Sequence, residues 1–130
     1  MVPDLAGPKR GRPVASRFAI RQLLLEARRC KGPLDDPDRL SEALREAAAA
    51  VGAKVEGGCH AHFVPHGVTA VIILAESHMS ISTWPEYEFA LVDVLFCRSG
   101  ASPELAWASL EPVLEPGEVE RDLVTRRVSR

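Results

Sequence analysis

The sequence predicts an α+β fold, a two-layer sandwich in which a mainly antiparallel sheet carries two helices on one face. Three observations lead there. Asp36-Pro37 opens a stretch where Leu40, Ala43, Leu44, Ala47, Ala48 and Val51 recur at helical spacing. Ser102-Pro103 opens a second helical stretch. The remaining apolar runs, Val71-Ile72-Ile73-Leu74 among them, are short and rich in β-branched residues, which suits strands.

In chain order, Met1 to Ala15 holds three prolines, two glycines and the basic cluster Lys9-Arg10-Gly11-Arg12. Such a composition buries little and reads as a flexible tail ahead of one domain over residues 16–130. Ser16 to Cys30 is ambiguous: Leu23-Leu24-Leu25-Glu26-Ala27 favours helix by propensity, while Phe18, Ile20, Gln22 and Leu24 alternate as in a strand. The helix begun at Asp36 and Pro37 is expected to end at Gly52, which is free to turn left-handed. Val55 to Val64 reads as a strand weakened by Gly57-Gly58, Pro65-His66-Gly67 as a turn, and Val68 to Leu74 as a buried strand. Met79 to Thr83 is a short strand, Pro85 to Glu88 a turn, and Phe89 to Phe96 another apolar strand. Ser102 caps the second helix, which carries Leu105, Ala106, Ser109, Leu110 and Val113 along one side and is expected to kink or stop near Pro112. Glu118 to Val128 is rich in charge, as edge strands are.

With 130 residues the chain has room for a single core. A hydrophobic share of 46% and a charged share of 26% are those of a soluble globular protein. The net charge of −2 gives no electrostatic reason to expect nucleic acid or an anionic membrane as partner. No apolar run approaches the roughly 18–20 residues that a membrane span requires, and the N-terminus lacks the apolar core of a signal peptide. Cys30, Cys59 and Cys97 are odd in number and widely spaced, forming neither a disulfide framework nor a Cys-x-x-Cys knuckle, so a reducing cytoplasm is the expected setting. His60-Ala61-His62 with His66 has no acidic third ligand nearby, and no metal is expected.

The residues able to carry chemistry gather between Ala75 and Cys97. Glu76-Ser77 falls where the strand ending at Leu74 stops, and a hydroxyl there can be pressed against the preceding carbonyl if the backbone is held strained. Taken alone, Glu76-Ser77-His78 reads as an ordinary turn, and Phe63, Trp84 and Cys97 as core. The surroundings are more specific. Ala75-Glu76-Ser77-His78, Ser80-Ile81, Thr83-Trp84-Pro85-Glu86-Tyr87, Ala90, Val92-Asp93-Val94 and Phe96-Cys97 together resemble the signature of the small prokaryotic S-adenosylmethionine decarboxylases. Pro65-His66-Gly67-Val68-Thr69 resembles the segment leading into it, and Leu34-Asp35-Asp36-Pro37 fits the start of its first helix. The resemblance runs from about Phe18 to about Val128 and implies a strand in the ambiguous N-terminal stretch.

Decarboxylating an α-amino acid leaves electrons on the α-carbon that no ordinary side chain accepts, so a sink is needed. The resemblance implies a pyruvoyl group made from Ser77. Ser77 Oγ attacks the Glu76 carbonyl, turning the peptide bond into an ester. Elimination releases Glu76 as a new C-terminus and leaves dehydroalanine, which hydrolyses to the pyruvoyl ketone. The chain is thereby cut between Glu76 and Ser77, and the ketone forms a Schiff base with the substrate amine. Cys97 is the implied proton donor to the decarboxylated intermediate, since a thiol of ordinary pKa, about 8.5, is protonated at neutral pH. Phe63 and Trp84 are implied to flank the adenine, and Glu86 to accept hydrogen bonds from the ribose hydroxyls. The implied assembly is a homodimer of processed chain pairs, acting on a small molecule.

The chain departs from the family pattern in three places. Ser82 stands where the family usually has the histidine implicated in processing, so cleavage is slow, fails, or recruits another base such as His78. Thr69 replaces a serine and keeps the hydroxyl that polarises the ester. Glu88-Phe89 replaces Gly-Tyr, which removes a glycine and adds a carboxylate; Glu88 is then either an exposed turn residue or part of a changed substrate pocket. Three readings follow. The first is an S-adenosylmethionine decarboxylase supplying the aminopropyl donor for spermidine synthesis. The second is a pyruvoyl-dependent arginine or ornithine decarboxylase, and the third an unprocessed paralogue that binds ligand or partners without catalysis.

Overall fold

A computed structural model describes residues 18–97 and 101–129; the basic N-terminal stretch lies outside the described residues. Six strands, β1 (Phe18–Arg28), β2 (Val55–His62), β3 (Val68–Leu74), β4 (Ser77–Trp84), β5 (Phe89–Cys97) and β6 (Glu118–Val128), form one sheet in the order β2-β3-β4-β5-β1-β6. Every neighbouring pair is antiparallel. Helices α1 (Pro37–Ala50) and α2 (Pro103–Leu114) pack on each other and on one face of the sheet, which is the two-layer sandwich expected.

Each helix follows from its caps and its apolar side. Asp36 accepts the Arg39 N–H at 3.0 Å, Pro37 takes the first helical position, and Leu40, Ala43, Leu44, Ala47 and Ala48 are buried. Gly52 closes α1 with φ 72°, the left-handed turn only glycine adopts without cost. In α2 the Ser102 hydroxyl accepts from the Leu105 N–H at 3.4 Å. The buried side of α2 is Pro103, Ala106, Trp107, Leu110 and Leu114, whereas Leu105 is exposed. The apolar stripe is thus rotated from the one expected, because the large Trp107 ring takes the sheet-facing position. Pro112 lies inside the helix on the exposed side of its last turn, and α2 stops two residues beyond it, at Leu114, close to where it was expected to end.

Alternation prevails over helix propensity in β1, where Leu23, Leu25 and Ala27 are buried while Leu24 and Glu26 face out. The interior position of this strand, between β5 and the edge strand β6, explains the outcome, since its backbone groups pair on both sides. Strand β4 is longer than expected at both ends, starting at Ser77 and reaching Trp84. Its buried residues Met79, Ile81 and Thr83 face the helices, so His78, Ser80, Ser82 and Trp84 line the opposite face. Among the described residues no helix covers that opposite face, and Leu24, Ile73 and Leu91 on it remain partly open to solvent, 37%, 49% and 39% exposed. Among the described residues, no helix is long and apolar enough to cross a membrane.

Candidate active site

The two ends of β4 carry the chemistry-bearing residues, and they carry different ones. At the first end, Ala75 and Glu76 form the tight link between β3 and β4, closing the pair Leu74 and Ser77. Glu76 has φ 62°, a left-handed conformation that costs a residue with a side chain roughly 1–2 kcal/mol. The strained backbone conformation thus belongs to Glu76, the residue immediately before Ser77. The Ser77 hydroxyl is half-buried and donates to the Ala75 carbonyl at 3.4 Å, one residue short of the carbonyl it is expected to attack. Strand β5 runs alongside, with Leu95 opposite His78, so Cys97 comes beside the turn; its Sγ lies 3.8 Å from Glu76 Oε1. Ser77, Glu76 and Cys97 are thus brought together by register alone.

His78 points to the open face, where Nε2 lies 3.8 Å from Asp93 Oδ2. Gln22 donates to both Asp93 oxygens, at 3.1 and 3.2 Å, and so fixes that carboxylate. Further along the same face Thr69 Oγ1 and Ser82 Oγ share a hydrogen bond of 3.0 Å. At about 3.4 Å of rise per residue, Ser82 stands about 17 Å from Ser77 along β4. Leu24, Glu26, Ser80, Ser82, Leu91 and Asp93 line a groove of about 380 Å³ on this face.

At the other end, Trp84 leads into a short 3-10 turn over Pro85–Tyr87 that presents Glu86. Trp84 lies against Phe89 with ring centroids 5.7 Å apart, and the Arg28 guanidinium sits 5.3 Å from the centroid of the Phe89 ring. Phe63 reaches this end through the hairpin between β2 and β3. Its N–H donates to the Gly67 carbonyl at 2.7 Å, and Asp35 accepts from the Gly67 N–H at 2.8 Å and pairs with His62 Nε2 at 2.9 Å. The Gly67 N–H, then His62, hold the Asp35 carboxyl below its ordinary range. That tie is complete at neutral pH and weakens only as acid protonates Asp35 through its depressed pKa. Gly67 has φ 112°, and a Cβ there would stand 3.2 Å from the Thr83 carbonyl oxygen, so only glycine lets the hairpin lie this close to β4. Beneath it Thr83, 5% exposed, donates to the Leu34 carbonyl at 2.7 Å and accepts from the Val68 N–H at 2.9 Å. Phe63 and Trp84 are 50% and 37% exposed, so neither is the core residue that each resembles in isolation.

Glu88 takes φ 51° without being glycine, and its carboxylate pairs with Lys31 Nζ at 2.9 Å. Its carbonyl accepts from the Cys30 N–H. Burial, then the Glu88 charge, push the Cys30 thiol up to about 11, leaving it inert. His60 and His62 share a face but engage Ser41 and Asp35, at 3.0 and 2.9 Å. Sequence reasoning missed Asp35 and His66 as parts of this end. His66 Nε2 lies 3.0 Å from Glu86 Oε1, a contact between two turns that no local spacing reveals.

Comparison with known proteins bears on these two clusters. The profile of the family described as S-adenosylmethionine decarboxylase matches residues 21–127. The S-adenosylmethionine decarboxylase proenzyme of Thermosipho melanesiensis is 34% identical over 100 residues, covering 76% of this chain and 77% of that protein. The proenzyme of the same description from Acidithiobacillus ferrooxidans is 37% identical over 99 residues, covering 75% and 74%. The crystal structure of the adenosylmethionine decarboxylase from Aquifex aeolicus superposes with a TM-score of 0.72 at 26% identity, covering 82% of this chain and 89% of that one.

Proposed function

The chain belongs to the S-adenosylmethionine decarboxylase family, pyruvoyl-dependent carboxy-lyases made as proenzymes, and we propose that it decarboxylates S-adenosylmethionine with a ketone built from Ser77. The product serves spermidine synthesis. The observation that carries the assignment is the left-handed Glu76 preceding Ser77, with the Cys97 thiol against its side chain. Rotation of the Ser77 hydroxyl from the Ala75 to the Glu76 carbonyl places Oγ for attack on the carbonyl carbon, and the ester that forms frees the Ser77 nitrogen as an amine. Loss of the Ser77 α-proton to a base breaks the Cβ–O bond, and Glu76 leaves as a carboxylate. Hydrolysis of the remaining dehydroalanine consumes water and expels ammonia. The ketone so formed supplies the electron sink for loss of carbon dioxide. Cys97, whose Sγ lies beside Glu76, is placed to return a proton to the α-carbon.

We assign Phe63 and Trp84 to the adenine and Glu86 to the ribose hydroxyls. Two exposed aromatics can stack on a purine, and a carboxylate matches a vicinal diol. Within one chain these residues cannot serve their own Ser77, since Trp84 is seven residues along β4, about 24 Å away. A second copy laid against the open face in the opposite sense would bring its Trp84 end, with Thr69 and Ser82, to the first copy's Ser77 end. It would also cover Leu24, Ile73 and Leu91. The working unit is therefore a homodimer of processed pairs, each domain spanning residues 16–130 and cut after Glu76, in the cytoplasm. The arginine or ornithine reading leaned on Glu88 and on serine at position 82 in place of the family histidine; of these, the Glu88 carboxylate is taken up by Lys31.

Co-expression tests this composite site. A Ser77→Ala chain and a chain carrying both Trp84→Ala and Glu86→Ala are each expected to release almost no carbon dioxide from S-adenosylmethionine. Random pairing of the two should restore about a quarter of the wild-type sites, because one site in each mixed dimer is intact. Absence of recovery in purified mixed dimers would overturn the shared site.

A further inference from the structure

We propose that His66 is a positioning residue for Glu86, setting the carboxylate that receives the ribose diol and thereby the affinity for substrate; this rests on the assignment of Glu86 to the ribose. Glu86 stands on an exposed 3-10 turn, where a side chain of three rotatable bonds would otherwise sample many rotamers. His66 Nε2 lies 3.0 Å from Oε1, with both side chains only partly covered, 35% and 41% exposed. With a proton on Nε2 the ring donates to Oε1 and holds the carboxylate plane. A carboxylate has about four lone-pair sites, so one imidazole leaves both oxygens able to accept from two neighbouring hydroxyls.

The placement of His66 is itself built. The backbone closes from the Phe63 N–H to the Gly67 carbonyl, and Asp35 grips the Gly67 N–H. The bare Cα of Gly67 lets the turn rest on Thr83 and Pro85, within 3.2 and 3.9 Å of where a Cβ would be. The residue before that glycine is thereby carried to the residue after Pro85. Ordering Glu86 ahead of substrate arrival removes a cost otherwise met on binding. The gain applies equally to ground and transition states, because the ribose is remote from the reacting carbon, so it acts on KM rather than kcat.

Steady-state kinetics on purified, processed enzyme test this with S-adenosylmethionine as substrate. His66→Ala is expected to raise KM about tenfold and to move kcat by less than about twofold. His66→Gln, whose amide Nε2–H reaches where the imidazole Nε2–H does, is expected to recover KM to within about threefold of wild type. In a Glu86→Gln background, where KM is already raised, His66→Ala is expected to add less than about twofold. A His66→Ala enzyme of unchanged KM, or one that Gln fails to rescue, would overturn the positioning role while leaving Glu86 on the ribose. A Glu86→Gln enzyme of unchanged KM would remove the ribose assignment and this proposal with it.

Discussion

Ser77→Ala is expected to remain one uncut chain of 130 residues and to release no carbon dioxide from S-adenosylmethionine. The loss should be the whole catalytic enhancement, on the order of a millionfold or more, because alanine offers neither a nucleophile for the Glu76 carbonyl nor an atom to leave on elimination. Folding should hardly change. The Ser77 hydroxyl is half-buried and makes one long bond, 3.4 Å to a carbonyl, so its removal falls within about 0.5 kcal/mol of neutral. An unchanged thermal transition beside an uncut chain therefore separates lost chemistry from lost structure. Cleavage of Ser77→Ala at the same bond, followed by turnover, would show that the hydroxyl is not consumed.

Ser82→His is the second large effect, in the direction of gain. Serine is a poor base at neutral pH, whereas imidazole titrates near pH 6.5. The position suits the replacement: Ser82 lies on the open face, bonded to Thr69 at 3.0 Å and beside a groove of about 380 Å³. A positioned base typically contributes 10²–10⁴-fold to a proton transfer, so self-cleavage is expected to speed up by about a hundredfold. The acceleration should fade as pH drops below about 6.5 and the imidazole becomes charged. The disappearance of full-length chain with time, followed across pH, measures both. An unchanged rate at pH 8 would mean that the proton is taken elsewhere, with His78, held toward Asp93, the first alternative.

The fold was legible where local chemistry decides it. Asp36-Pro37 and Ser102-Pro103 mark both helix starts, and alternation in β4 and β5 separates buried from open positions. What the residues alone left undecided was β1, where a leucine run suits either element until two neighbouring strands claim its backbone. The apolar side of α2 was misjudged for a related reason, since only the sheet beneath it selects Trp107 over Leu105. At the site, Ser77 beside Cys97 is a matter of strand register and could be reasoned from the order of elements. The division of the site between the two ends of β4 was not visible in a motif that reads as one continuous stretch. Strand geometry sets Trp84 far from Ser77 although only six residues separate them in sequence. Contacts between turns, such as Asp35 to Gly67 and His66 to Glu86, have no sequence signature at all.

The mass of the intact wild-type protein under denaturing conditions tests the origin of the ketone most directly. Two chains are predicted, one ending at Glu76 and one that begins at position 77 and weighs less than a serine-started chain by one ammonia. A single uncut chain after long incubation, or a second chain that still begins with serine, would contradict the conversion of Ser77.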